Sequence, residues 1–187
     1  MQRRCNSEVT QIDDELLVIR CQLGERRAFD ALIARWAAPI SAYARRVSQD
    51  EEAAAELTQD IWMRVFRGID RLREAQRFRS WLFGIAHRAF ADTLRKRYAA
   101  LPAAEGDLDQ VADEGALADH ADLDRVERGL ARIPPIEREI LTLFYLQELS
   151  IEEAAEALSI APGTVKSRLH RARRLLRLEF EKEGETP

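Results

Sequence analysis

Cysteine and histidine are scarce in this chain, with two of the first and three of the second. Cys5 and Cys21 stand alone without a CxxC spacing, and His87, His120 and His170 lie far apart in sequence. Neither a zinc site nor a disulfide framework is expected from that pattern, and both cysteines read as reduced thiols. No apolar run approaches the ~18 residues of a membrane span, so membrane insertion is not expected. The first residues are polar and acidic, unlike a secretory signal, which points to a cytoplasmic protein. A nucleophile elbow, a phosphate-binding glycine loop and metal-ligand spacing are also missing. An enzyme would have to rely on His87 with Asp92 or a pair of carboxylates, so an enzyme is not the expected class, and no cofactor or metal is expected.

Only eight Gly and six Pro interrupt 187 residues, and alternating β-branched runs are rare. Ala, Leu, Glu and Arg dominate, which favours an all-α protein. The length suits two small helical domains or one medium one. Apolar side chains recur at helical spacing from Asp13 to about Arg46, with Phe29, Leu32, Ile33, Trp36, Ala37 and Ile40 on one stripe. Gly24 separates two helices in that stretch. Ser48 and Glu51 have the S-x-x-E form of a capping box, so a helix is expected to open there and stop near Gly68. Its buried stripe is Leu57, Ile61, Val65 and Phe66. RLREAQRF reads as a loop. Ser80 then opens another helix, with Trp81, Leu82, Ile85, Ala89 and Leu94 inward and Arg88, Arg95, Lys96 and Arg97 outward. Helix resumes near Leu123, breaks at Pro134 and Pro135, and restarts at Ile136. Ser150 with Glu153 forms a second capping box.

Charge is segregated along the chain. The net is −4 overall, but residues 61–97 carry +7, residues 98–124 carry −8 with no Lys or Arg, and residues 162–187 carry +3. Residues 99–121 are rich in Ala, Asp and Gly and poor in large apolar side chains, the composition of an extended flexible linker. The expected organisation is therefore a domain over 13–98, an acidic linker over 99–121 and a second domain over 122–180. Two basic segments on either side of an acidic one imply two separate anionic contacts.

The sharpest local pattern is SIEEAAEALSIAPGTVKSRLHRARRLLR, residues 150–177. A short capped helix, a turn and a second helix with no acidic residue between Pro162 and Arg177 form the plan of a DNA-reading helix-turn-helix. Ala155 sits where the two helices cross. Leu158, Ile160 and Val165 supply their core. Pro162 suits the first turn of the second helix, whose N–H groups favour a phosphate. Lys166, Ser167, His170 and Arg171 share a side that can enter a major groove, while Arg173, Arg174 and Arg177 suit phosphates. A solvated basic helix or a partner-binding helix is the plainer alternative.

IPPIEREILTLFYLQELSIEEAAEALSIAPGTVKSRLHRARRLL closely resembles region 4 of sigma-70 family factors, above all the extracytoplasmic-function (ECF) group. AAAELTQDIWMRVFRGIDRL is similar to region 2.2, and RFRSWLFGIAHRAFADTLRKR to regions 2.3 and 2.4. The resemblance covers about Leu23 to Leu178. It implies a factor that binds core RNA polymerase at its clamp and flap, recognises and opens the minus-ten element through region 2, and reads the minus-thirty-five element through region 4. It further implies control by an anti-sigma partner. Polymerase docking then falls to Glu56, Gln59, Asp60, Met63 and Arg67, opposite the apolar stripe of their helix. Without the resemblance that face would read as solvated, with an Asp60–Arg64 pair. Minus-ten DNA falls to Arg71, Arg73, Arg77, Phe78, Arg79, Arg88 and Arg95, with Phe78 as a stacking face and Trp81 as core. Minus-thirty-five DNA falls to Thr164, Lys166, Ser167, Arg168, His170, Arg171, Arg173 and Arg174. Two positions depart from the family pattern: Arg88 replaces the usual Asn, and Ser159 replaces a frequent Gly, which implies a slightly different turn. A stand-alone helix-turn-helix regulator is the alternative, but the region 2 likeness argues against it.

Overall fold

The computed structural model describes residues 13–48, 50–98 and 123–184, and every regular element among them is helical. The stretch expected to be a linker, 99–121, lies outside the described residues. Helix α1 covers 13–22 and ends at Gly24, whose φ of +84° is the left-handed conformation that glycine adopts without a Cβ clash. Helix α2 spans Arg26–Val47 and α3 spans Glu51–Gly68. The expected Ser48–Glu51 box does not form. Asp50 caps α3 instead, accepting from the Ala53 N–H at 2.8 Å, and Ser48 closes the C-terminus of α2. Asp is as strong a cap as Ser, and it stands directly before the acidic pair Glu51 and Glu52, which complements the helix dipole.

Two short 3-10 turns, Ile69–Arg71 and Ala75–Arg77, replace the featureless loop expected after α3. Helix α4 then runs from Phe78 to Tyr98, opening two residues before Ser80. Leu82, Phe83, Ile85, Ala86, Ala89 and Phe90 are all buried and, at about 100° per residue, fall within one broad arc of the helix. The α2 aromatics and α3 cover that arc, and α7 packs on the other side, where Gly84 is buried. Trp36 meets Phe78 and Phe83 edge-on at 6.0 and 6.1 Å, and Tyr43 meets Phe83 at 5.9 Å. Such pairs add about 0.5–1.5 kcal/mol each beyond the area they bury.

The second group of helices is α5 (Leu123–Arg132), α6 (Pro135–Leu141), α7 (Ile151–Leu158) and α8 (Pro162–Gly184). After α6 the chain continues through a wider turn, Thr142–Leu146. Leu130, Ile140, Leu143, Leu149, Leu158, Val165, Leu169 and Leu176 form their core. The Ser150–Glu153 box is present in both directions, with 2.8 and 3.1 Å bonds. Ser159 closes α7 in the left-handed conformation, φ 55° and ψ 41°. The serine thus makes a left-handed turn that glycine would make without strain.

The two groups are not held apart. Helix α7 packs against α4, and α6 against α2. At Gly84 the approach is close: a Cβ there would lie 3.4 Å from the Ala157 carbonyl oxygen. A polar cluster crosses the same boundary. The fully buried Tyr43 donates to Glu139 at 2.6 Å, and His87 Nδ1 lies 3.0 Å from the same carboxylate, which is 3% exposed.

Candidate nucleic-acid interface

Helix α8 is anchored by Val165, Leu169, Ala172 and Leu176, spaced three and four apart on one face. At about 100° per residue, Lys166, Ser167, His170, Arg171, Arg174 and Arg177 project on the opposite side. Lys166, Arg171, Arg174 and Arg177 are exposed, and Ser167 and His170 are half-exposed. Thr164, Arg168 and Arg173 stand at the flanks. The N-terminus offers fewer free donors than expected, because Pro162 has no N–H and Thr164 and Val165 donate to the Ala161 carbonyl at 2.9 and 3.1 Å. Two of the cations already have partners. Arg171 Nε lies 3.1 Å from Glu137 of α6, and Arg173 donates to the Tyr145 hydroxyl at 2.7 Å while stacking on its ring.

The second basic surface surrounds the turns between α3 and α4. An open cavity of about 300 Å³ is lined by Arg71, Arg73, Glu74, Arg77, Ser80, Trp81, Arg88 and Glu156. Phe78, expected as a stacking face, is 1% exposed and packs on Trp36 and Trp81, so it offers none. Trp81, expected in the core, packs against it but is only half-buried and forms part of the cavity wall. Helix α4 begins at Phe78, which turns that ring into the core and leaves Trp81 at its rim. Gln22 of α1 donates its amide to the Ile69 and Leu72 carbonyls at 3.0 and 2.8 Å, which fixes the start of the turns. Arg79 donates to the Gln147 carbonyl and lies 3.7 Å from Glu153. Arg77 pairs with Glu74 at 2.8 Å and reaches Glu156 at 3.5 Å. Arg88 is exposed, while Arg95 pairs with Asp92.

On α3, Glu56, Gln59, Met63 and Arg67 form an outward stripe, with Asp60 beside it. Asp60 is also in an ion pair, since Arg64 contacts it at 2.9 Å and Asp92 of α4 at 2.8 Å. Hydrogen bonds first from Arg64 and then from Arg95 hold the Asp92 carboxyl below its usual pKa. His87 and Asp92 therefore face different partners and do not form a catalytic pair. Phe66, expected inside, is 62% exposed and meets Phe29 edge-on at 5.2 Å. With Met63 it makes the stripe more apolar than expected. The helical spacing of Phe66 alone could not settle this, because it sits one position beyond the buried Val65. Among the described residues no group of three or more His, Cys, Asp or Glu could hold a metal, and no helix is long and apolar enough to cross a membrane.

The sigma-70 region 2 family model matches residues 32–99, and the sigma-70 region 4 model matches residues 123–176. The ECF RNA polymerase sigma factor SigM of Mycobacterium tuberculosis is 37% identical over 167 residues, which cover 89% of this chain and 84% of that protein. This chain is an ECF sigma factor. A second relative of the sigma factor is the RNA polymerase sigma-H factor of Pseudomonas aeruginosa, 30% identical over 182 residues, covering 88% and 92% of the two chains. In structure the sigma factor resembles RpoE of Bartonella quintana, solved with the anti-sigma factor NepR, with a TM-score of 0.65, 26% identity and coverage of 82% and 96%. It shares the fold of CnrH, solved with the cytosolic domain of CnrY, at a TM-score of 0.68, 23% identity and coverage of 91% and 98%.

Proposed function

We propose that this ECF sigma factor directs promoter-specific initiation by dividing three tasks among three surfaces. The α3 stripe of Glu56, Gln59, Asp60, Met63, Phe66 and Arg67 docks on core polymerase, its apolar centre ringed by polar groups. The cavity beside Trp81 takes a base unstacked from the minus-ten strand, and Arg71, Arg73 and Arg77 hold the phosphates around it. Helix α8 enters the major groove at the minus-thirty-five element, with Lys166, Ser167, His170 and Arg171 toward base edges and Arg174 toward phosphate. The single observation that carries this reading is the pairing of a cation-faced α8 with a separate arginine-lined cavity holding a half-exposed Trp81. One surface suits duplex DNA and the other suits an unpaired strand.

The protein supplies no bond-making chemistry of its own in this reading and works in the cytoplasm. Control by an anti-sigma partner follows from the likeness to RpoE, which was solved with one. Run-off transcription with core polymerase on a genomic promoter library tests the proposal. Transcripts are expected from start sites that share two upstream elements. No initiation above core polymerase alone, together with tight specific duplex binding by the free protein, would favour a stand-alone helix-turn-helix regulator.

A further inference from the structure

Arg171 differs from the other cations on the outward side of α8 in what holds it. Its Nε lies 3.1 Å from the Glu137 carboxylate, whereas among the described residues Lys166, Arg174 and Arg177 have no such partner. The pair is lopsided: the Glu137 side chain is 11% exposed and that of Arg171 is 45% exposed. The fold walls in the carboxylate and leaves the far end of the guanidinium open to solvent. Glu137 also sits on a fixed platform. Pro135 sets the start of α6, and Arg138 ties that start to the Ala131 and Ile133 carbonyls at 2.9 and 3.1 Å. Helix α6 packs directly on α8. Among the described residues the Glu137 carboxylate has no second polar partner, so its effect falls on Arg171.

Guanine offers O6 and N7 side by side in the major groove, a match for two N–H groups of one arginine. A free arginine can present Nε with one terminal nitrogen, or both terminal nitrogens, or turn to a phosphate instead. With Nε given to Glu137, the edge left for DNA is the one that carries Nη1 and Nη2. We propose that Glu137 is a positioning residue for minus-thirty-five readout, holding Arg171 by Nε so that its two terminal nitrogens meet O6 and N7 of one guanine. The proposal rests on the placement of α8 in the major groove. Glu137 itself touches no DNA. It acts by confining the Arg171 guanidinium to one plane, which favours a base edge over the phosphates on either side.

Two substitutions separate positioning from charge. Glu137→Met and Glu137→Gln each remove one negative charge and keep the length of the side chain, but only Gln retains an oxygen that can accept from Nε. Binding of a promoter duplex from the run-off library is measured in the complex of the full-length protein with core polymerase. Each G·C pair of the minus-thirty-five element is replaced in turn by A·T. Wild type is expected to discriminate against the change at the guanine that Arg171 reads. Glu137→Met is expected to shrink that discrimination roughly threefold to tenfold, part of the ~5-fold to 150-fold that a bidentate contact supplies, and Glu137→Gln to keep most of it. Equal profiles for the two variants would overturn the proposal. Tighter binding of the native promoter by both would also overturn it, since Glu137 would then act only as a repelling charge or compete with DNA for Arg171. Arg171→Ala tests the underlying assignment separately. If it leaves the profile unchanged, Arg171 reads no guanine and the placement of α8 is at fault. If it flattens the profile and Glu137→Met does not, only the positioning role falls. A second readout needs neither DNA nor polymerase. In proton–nitrogen NMR of the full-length protein, the Arg171 Nε–H is expected to be protected from solvent exchange in wild type and Glu137→Gln, and unprotected in Glu137→Met. Protection that persists in Glu137→Met would overturn the tether.

Discussion

Replacing Tyr43 with Phe removes one oxygen and leaves the ring in place against Phe83. The lost hydroxyl donates at 2.6 Å to Glu139, a carboxylate with almost no exposure. Hydrogen bonds of that length to an ionised acceptor are the strong kind, and those to charged groups contribute about 1.5–3 kcal/mol. His87 keeps Glu139 partly satisfied, so ~2 kcal/mol is the expected loss for Tyr43→Phe. For a chain of this size that is about 4–8 °C in Tm. Urea unfolding followed by circular dichroism reads it. A second signature comes from pH. Burial, and then the charge and hydrogen bond of Glu139, push the Tyr43 phenol well above its ordinary pKa. The folded protein therefore keeps a proton that the unfolded chain gives up near pH ~10. The stability this supplies is full below that pH and is lost as pH rises beyond it. Wild type is expected to weaken more steeply than Tyr43→Phe on the alkaline side. Because Tyr43 and Glu139 lie on opposite sides of the 99–121 stretch, the result also reports whether the two groups pack together in solution. A loss under ~0.5 kcal/mol, the level of a surface substitution, with no alkaline difference would refute a buried Glu139 and the packing built on it.

Phe66→Ser is expected to leave stability within ~0.5 kcal/mol, as for a surface change, but to weaken competition for core polymerase by ~2 kcal/mol or more if the ring is an interface anchor. Phe78→Ala should cost about 3–5 kcal/mol of stability in chemical denaturation, the range for an emptied aromatic core site. Arg73→Ala should leave stability unchanged and weaken oligonucleotide binding; the opposite ranking would restore Phe78 as a stacking face. Arg171→Ala should cut minus-thirty-five discrimination by ~1–3 kcal/mol in competition binding within the polymerase complex. Equal loss on every sequence would assign Arg171 to phosphate. Ser159→Gly should raise stability by ~0.5–1 kcal/mol, since relief of left-handed strain exceeds the entropy that glycine adds to the unfolded chain.

Local signals in the chain were reliable where one interaction decided the outcome. Ser150 and Glu153 had no nearby rival and formed the expected box. Ser48 had Asp50 two residues away and lost the cap to it. The basic side of α8 was legible because an anchored helix places its side chains by simple rotation. The partners of those side chains were not legible. Nothing near Arg171 in sequence points to Glu137, and nothing near His87 points to Glu139. Such pairs depend on how the two helical groups meet, and residues 99–121 carry no register. The second covered side of α4 was not legible either. Leu82, Phe83, Ile85, Ala86, Ala89 and Phe90 share one arc, the other side carries charged residues, and only the small Gly84 marks where α7 approaches. The buried run Glu137, Arg138 and Glu139 gave no such warning. Polar residues in a short helix ordinarily read as solvent-facing.

The Gln22 amide has a consequence for the thermodynamics of strand capture. Its two bonds to the Ile69 and Leu72 carbonyls tie the head of the α3–α4 connection to α1, and the Arg77 N–H to the Glu74 carbonyl tightens its tail. A loose connection would have to be ordered each time a base entered, at about 1–2 kcal/mol per residue fixed. Here that entropy is lost once, during folding. On the proposed role of the Trp81 cavity, the binding energy of the base is then left for unstacking it from the duplex, and the Gln22 amide, bonded to the cavity-lining Leu72, is expected to influence how readily a promoter melts.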